Sequence, residues 1–298
     1  MKKIKKEFLE IFLHITTLPE ISMKGIYKKI LLFLLSFKTI RILRNKYGPV
    51  IANRVIGDLT FYNSVYGTKI KMSDSALFEY YILSLRNKVH EPSLTLKFKN
   101  LFEESKSSVF VDIGAHYGFF SLLAGKWLEP DGKVISIEPN ISFYKKLKYN
   151  ITLNKLDGIV KTFNLGLSEN ESFAKMGGWN KRRTILNQKG KIHLVTFDSL
   201  CEKENIYPDI IKIDVHGAEG NILKGMPNIL KNHVSHLFCE LHEFMNGYNV
   251  RDIIAILEQA GLKVYEFTDH RSESGGQIIP ISSDFLSNYT DRMIYATK

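Results

Sequence analysis

The sequence predicts an α/β protein: a mainly parallel sheet with helices on both faces. Three observations predict it. From Val109 onward, short apolar runs that read as strands alternate with helical segments. A glycine-rich turn from Gly114 to Gly118 lies between one such strand and the helix after it. The next strand ends in Glu138, 20 residues beyond Gly118. The chain has 298 residues, 44% apolar and 24% charged, which excludes a disordered or low-complexity protein. A core of this size needs no disulfide staples. Cys201 and Cys239 fit no metal spacing or disulfide framework and read as apolar fillers in a reducing compartment.

The elements follow in order. Residues 1–50 hold eleven Lys/Arg and three Glu, a net +8 out of +10, so the remaining 248 residues carry about +2. The longest apolar run in this arm, Ile30–Leu35, is far short of the roughly 20 residues of a spanning helix, and no signal-peptide cleavage pattern follows it. Residues 26–44 read as a helix. It either packs on the main domain with its lysine stems along the surface or docks at a membrane surface. The expected location is cytoplasmic, with the arm as the point of any peripheral contact with the inner face of a membrane. Gly57, Asn63 and Gly67 break the Val/Ile/Tyr/Thr runs of residues 55–73 into a β-hairpin. Residues 1–74 are thus an arm-and-hairpin extension, and 75–298 the main domain. Residues 75–88 and 92–104 read as helices.

In the main domain, strands are expected at 109–113, 133–138, 159–164, 209–215, 234–241, 262–267 and 292–296. Helices are expected at 119–128, 141–153, from 218, and at 250–259. Residues 170–195 read as irregular or hairpin-like, with turns at Gly177-Gly178 and Lys189-Gly190. In such a sheet, ligands bind beyond the carboxyl ends of the strands.

The turn Asp112-Ile113-Gly114-Ala115-His116-Tyr117-Gly118 carries the most information. Gly114 allows a tight turn and close ligand approach, and Gly118 lets the helix begin against the ligand. Glu138 stands where a carboxylate accepts the hydroxyls of a ribose. A dinucleotide site usually has G-x-G-x-x-G and aims a helix N-terminus at pyrophosphate. Here an acid, Asp112, precedes the first glycine; it repels phosphate and suits a ligand with a cationic amino-acid end. S-adenosylmethionine is such a ligand, so the acid favours it over NAD.

With its ordered pieces His90-Glu91-Pro92, Val111-Asp112-Ile113-Gly114-Ala115, Ile137-Glu138-Pro139-Asn140, Asn164-Leu165-Gly166-Leu167-Ser168, Val195 to Leu200, Ile211-Lys212-Ile213-Asp214-Val215-x-Gly217-Ala218-Glu219 and Glu240-Leu241-His242, the chain resembles the FkbM family of S-adenosylmethionine-dependent methyltransferases over about residues 90–297. The resemblance implies a Rossmann-like seven-stranded sheet whose last strand runs antiparallel. It also implies O-methylation, often of sugars or glycan- and polyketide-type metabolites. It carries Asp112, Gly114 and Gly118 to the cofactor's amino-acid end, Glu138 to its ribose, and Gly166 and Leu167 to its adenine. His116 stands where the family commonly has Asn, at the cofactor tail, and His216 where it commonly has Glu.

Methyl transfer to a hydroxyl needs the acceptor oxygen aligned and its proton removed. Asp214-x-His216 and Glu240-x-His242 each place an acid and a histidine on one side of a strand end. His242 is the expected base, with Asp214 or Glu240 orienting it or serving instead. These four groups are also adequate ligands for a divalent metal; the resemblance demands none, and none is expected in the catalytic set. Glu91, biased to extended backbone by Pro92, His216, and the Trp179 to Arg182 loop are candidates for acceptor contact. The expected reaction is O-methylation of a saccharide, glycolipid or related metabolite. The near-neutral main domain argues against the rival reading, an RNA methyltransferase, and no nucleic-acid partner is expected. A membrane-docked binding protein of the same fold is the other rival.

Overall fold

A computed structural model describes residues 59–63, 66–72, 90–104, 108–128, 131–177, 183–186, 191–242, 247–272, 275–289 and 291–298. The basic arm, the helix expected over 75–88, and Trp179 and Arg182 lie outside the described residues. The chain divides into two compact units, 1–89 and 90–298. In the first, β1 (Leu59–Asn63) pairs antiparallel with β2 (Thr68–Met72), the expected hairpin.

The second unit opens with α1 (Pro92–Glu104) and then β3 (Val109–Ile113), α2 (Phe119–Trp127), β4 (Lys133–Ile137), α3 (Ile141–Leu153) and β5 (Val160–Phe163). A smaller four-stranded sheet follows: β6 (Gly166–Leu167), β7 (Ser172–Gly177), β8 (Arg183–Leu186) and β9 (Ile192–Val195), in the order β6-β9-β7-β8. The chain then returns through α4 (Phe197–Glu204), β10 (Ile210–Ile213), α5 (Glu219–Lys224), α6 (Pro227–Asn232), β11 (His236–Leu241), α7 (Val250–Gln259), β12 (Lys263–Phe267), β13 (Ile278–Pro280), α8 (Ser283–Ser287) and β14 (Arg292–Thr297).

The large sheet has the order β13-β12-β14-β11-β10-β3-β4-β5. From β11 to β5 all neighbours are parallel, and β14 runs antiparallel to both β11 and β12. The expected seven strands are present, and the three-residue β13 adds an eighth at the edge. The strand order reverses between β3 and β10, the switch point at which ligands enter such sheets.

Register decides which residues face the same way. Phe110 pairs with Ile210, Asp112 with Lys212, and Lys212 with Phe238. With a period of two, Phe110 and Asp112, Lys212, and Phe238 and Glu240 therefore share one face. Near the amino ends that face is an aromatic core. Phe98 of α1 packs on Phe102, Phe110, Phe120 and Phe238, with ring centroids 4.8 to 5.9 Å apart. Toward the carboxyl ends the same face turns ionisable. The opposite face (Val111, Ile113, Ile211, Ile213, Leu237, Cys239) is wholly apolar and lies under Phe197, Leu223, Leu230, Ile253 and Phe285. Both cysteines are buried and free.

Phe98 joins α1 to α2, β3 and β11. Phe98→Ala should lower unfolding stability by about 3–5 kcal/mol, measured as a reduced urea midpoint with an unchanged slope.

Candidate active site

The site is built at the carboxyl ends of β3, β4, β10 and β11. Gly114 turns the chain out of β3 with φ +84°, and a Cβ there would lie 2.0 Å from the Asp214 carbonyl oxygen. Only glycine lets the β3 and β10 ends come this close. Gly118 starts α2 at φ +88°, pressed on Leu147 of α3. The amide of buried Asn150 donates to the Tyr117 carbonyl (2.9 Å) and ties α3 to the turn. His116 takes φ +52°, its ring edge-on to Phe143 at 4.1 Å between centroids.

Asp112 is buried. Ser121 Oγ donates to its Oδ2 (2.6 Å), and Ser136 Oγ donates to Ser121 in turn (2.8 Å). Among the described residues its Oδ1 has no hydrogen-bond partner. Burial pushes its pKa up, against the pull of Lys212 and the Ser121 hydrogen bond. Glu138 leaves the end of β4, and each of its oxygens accepts one backbone N–H, Oε2 from His116 (2.9 Å) and Oε1 from Asn140 (2.8 Å). A carboxylate so held keeps a lone pair on each oxygen for further donors. Burial raises its pKa to about 7, with those two N–H donors opposing and Asp112 and Asp214 adding to the rise. Gly166 and Leu167 follow in β6. The Asn164 side chain donates to the Glu138 and Pro139 carbonyls (2.8 and 3.1 Å), which sets this strand beside the acid. The turn, Asp112, Glu138 and Gly166-Leu167 thus come together. The orphan Oδ1 of Asp112 fits a cationic amino-acid end, and Glu138 fits a pair of hydroxyls.

A second group gathers one strand further on. Its centre is Lys212, only 3% exposed, which the sequence presents merely as one polar residue in an apolar strand. Lys212 Nζ donates to Asp214 Oδ2 (3.0 Å) and lies 5.0 Å from the Phe120 ring centroid. Burial opposes its charge, but Asp214, Asp112, Glu91 and Glu240 outweigh that and raise its pKa. Burial would raise Asp214 too; Lys212, His216 and His242 reverse this and hold it well below the usual carboxylate range.

The histidine partnerships run between elements rather than along strands. His242 Nδ1 lies 2.7 Å from Oε1 of fully buried Glu219, which the sequence presents only as the last residue of the 211–219 motif. The Gly217 N–H donates to the same oxygen (3.0 Å). His242 Nε2 lies 3.7 Å from Asp214 Oδ1, which has no hydrogen-bond partner. Burial lowers the His242 pKa, but Glu219 and Asp214 prevail and raise it. Glu240, expected as a partner of His242 along the strand, instead holds the Arg271 guanidinium, with His270 Nε2 3.8 Å away. Burial, Asp214 and Glu91 push the Glu240 pKa up. His216, at φ +56°, is exposed and meets the His242 ring edge-on at 4.3 Å.

Glu91 corrects an expectation. Pro92 favours extended backbone before it, yet Glu91 has φ +45°. Its carboxylate is drawn inward to His90 Nε2 (3.3 Å) and Arg271 Nε (3.9 Å), leaving the side chain 4% exposed and Oε2 without a partner. Burial raises its pKa, but His90 and Lys212 bring it below the ordinary value. Residues held at such φ cost of order 1–3 kcal/mol and cluster at functional sites.

A doubly wound sheet with this turn and acid at its switch point is the build of a nucleoside-cofactor transferase. Residues 112–264 match the Methyltransferase FkbM domain, and the chain belongs to that family. The cofactor of the family is S-adenosylmethionine. The chain is 26% identical over 168 residues to the hexuronic acid methyltransferase AglP of Haloferax volcanii; the match covers 54% of this chain and 66% of that protein's length. Solved structures with a similar arrangement include a methyltransferase FkbM from Methylobacillus flagellatus KT (17% identity, 74% of this chain and 53% of that one, TM-score 0.45). An O-methyltransferase from Bacillus cereus in complex with SAH is another (16% identity, 76% and 91%, TM-score 0.42).

The raised Glu138 pKa predicts a pH dependence for any ligand whose hydroxyls it accepts. An ionised carboxyl accepts hydroxyl hydrogen bonds better than a protonated one. S-adenosylmethionine affinity should therefore rise with pH up to about 7 and level off above it. Calorimetric titrations from pH 5.5 to 8.5 should show this, and Glu138→Gln should bind weakly and lose the step near pH 7.

Proposed function

We propose that this protein transfers a methyl group from S-adenosylmethionine to a hydroxyl oxygen of a saccharide, glycolipid or related metabolite. The observation that carries this reading is the Glu219–His242–Asp214 chain beside the glycine turn. The relative named as a hexuronic acid methyltransferase supports a sugar-type acceptor.

When bound, the cofactor supplies an electrophilic methyl group on a sulfonium. The protein's own residues supply the rest. Asp112 Oδ1 and the turn hold the cationic amino-acid end, and Glu138 holds the ribose. Gly114 keeps the β3 and β10 ends close enough for the acceptor oxygen at Asp214 to approach the cofactor in line. Glu219 accepts the Nδ1–H of His242, which leaves the Nε2 lone pair turned toward Asp214. That nitrogen is the base that takes the hydroxyl proton. Asp214 orients the hydroxyl and stabilises the imidazolium that forms, as acid–histidine chains do elsewhere. Glu240 anchors Arg271 at the rim and acts through that position. Residues 75–298, which include the second compact unit 90–298, are proposed as the methyltransferase domain, with the basic arm as a contact to an anionic surface. Among the described residues, no helix is long and apolar enough to cross a membrane.

Isotope-labelled S-adenosylmethionine offered with free sugars, hexuronic acids, nucleotide-sugars and glycolipids should yield a product heavier by one labelled methyl group in mass spectra. A panel in which only RNA gains the label would overturn the reading. His242→Gln should reduce kcat by about 10²–10⁴-fold while cofactor affinity stays within about twofold. Asp112→Asn should show the converse, a loss in cofactor affinity seen by calorimetry in the absence of acceptor.

A further inference from the structure

We propose that Asp214, His216 and His242 form a binding site for a divalent transition-metal ion, at which Asp214 Oδ1 and His242 Nε2 are two of the ligands. Each of the three residues offers one ligand atom, and these atoms lie within 4.8 Å of one another. Ligand atoms about 2.0–2.2 Å from one tetrahedral ion stand about 3.4 Å apart. Asp214 Oδ1 and His242 Nε2 stand at 3.7 Å, so an ion between them needs only a few tenths of an ångström of adjustment.

The surroundings point the same way. Metal-binding histidines usually donate their other ring N–H to a carboxylate, which fixes the tautomer and raises the basicity of the ligating nitrogen. Glu219, wholly buried and 2.7 Å from His242 Nδ1, is that carboxylate. Asp214 divides its two oxygens: Oδ2 accepts from Lys212, and Oδ1 is shielded from solvent with no hydrogen-bond partner. His216, held at φ +56° with its ring against His242, is exposed, so solvent reaches this side of the cluster. Two imidazoles and one carboxylate suit zinc, cobalt or nickel better than magnesium or calcium. Two other groups of such side chains, Glu91-Glu240-His270 and Glu240-His242-Asp291, share Glu240, where the Arg271 guanidinium already provides the cation.

The effect on catalysis rests on the proposed function. An ion on Nε2 occupies the lone pair that takes the acceptor's proton, so loading should slow methyl transfer.

The test uses the full chain, stripped with a chelator, desalted and titrated with Co²⁺. One equivalent should bind and give the intense visible absorption of four- or five-coordinate cobalt. His216→Asn, which keeps a residue that tolerates the left-handed backbone at φ +56°, should bind at least tenfold more weakly with an unchanged thermal midpoint. Glu219→Gln should weaken binding by about 10–100-fold, as loss of such a supporting carboxylate does. A spectrum that stays that of the hydrated ion, or equal affinity in parent and both variants, means an adventitious ion only and overturns the proposal. Binding without slower methyl transfer leaves the metal site standing and removes His242 as the base. Methyl transfer by a protein that takes up no cobalt leaves the function standing and removes the site.

Discussion

The buried Lys212 ammonium sets the terms for every acid around it. A carboxylate taken out of water without compensation loses its charge or destabilises the fold. Here Asp112, Asp214, Glu91 and Glu240 converge on one buried cation. The result is a division of labour by proximity. Asp214, in direct contact with Nζ, stays ionised, and Glu91, with His90 beside it, does too. Asp112, which meets Lys212 across a strand pair, and Glu240, whose nearest cation is Arg271, are pushed toward their protonated forms. Acids of opposite tendency within one pocket are the usual mark of a chemical site. The apolar opposite face of the same strands reinforces this, because no water reaches the ammonium from below.

Much of this was legible in the sequence, for local reasons. Helices 141–153 and 250–259 begin and end where the pattern puts them, since Asn140 and Asn249 cap them; Asn249 does so in a capping box with Asp252. The glycine turn was legible because both positions hold positive φ, +84° and +88°, which marks glycine locally whatever packs against it. The short helices 197–204, 227–232 and 283–287 fall below the length at which a 3.6-residue period shows. The partners of Lys212 come from four separate strands and turns, and Glu219 meets His242 across 23 residues of chain. No spacing rule connects such groups; only the register of β3, β10 and β11 does. The i,i+2 rule placed Glu240 and His242 on one side, and the nearer supply of charge, Arg271 for one and Glu219 for the other, separated them.

Glu91 shows how local preference yields to that charge. Proline at the first position of α1 is favourable, because its missing N–H is not needed there. The residue before it gives up extended backbone and closes the pocket with a carboxylate. The Thr95 N–H donates to the Glu91 carbonyl (2.8 Å) and Thr95 Oγ1 to the His90 carbonyl (2.8 Å), which holds the strained turn from the helix side. The Leu94 N–H donates to the His270 carbonyl and Ser93 Oγ to the Ser272 carbonyl, so the start of α1 and the segment bearing His270 and Arg271 are fastened together. The acids at the strand ends and the residues over them therefore form one mechanical piece.

The same electrostatics restrict the acceptor. Around the switch point stand Asp112, Glu138, Asp214, Glu219, Glu240 and Glu91, against Lys212 and the half-exposed Arg271 as permanent cations. Lys212 is spent on its four acids and presents no charge to solvent. A sulfonium donor relieves the imbalance, whereas a polyphosphate chain meets uncompensated carboxylates on its approach. A neutral group meets no such repulsion there. Among the described residues, the Arg271 guanidinium at this end of the sheet is shared between Glu240 and Glu91.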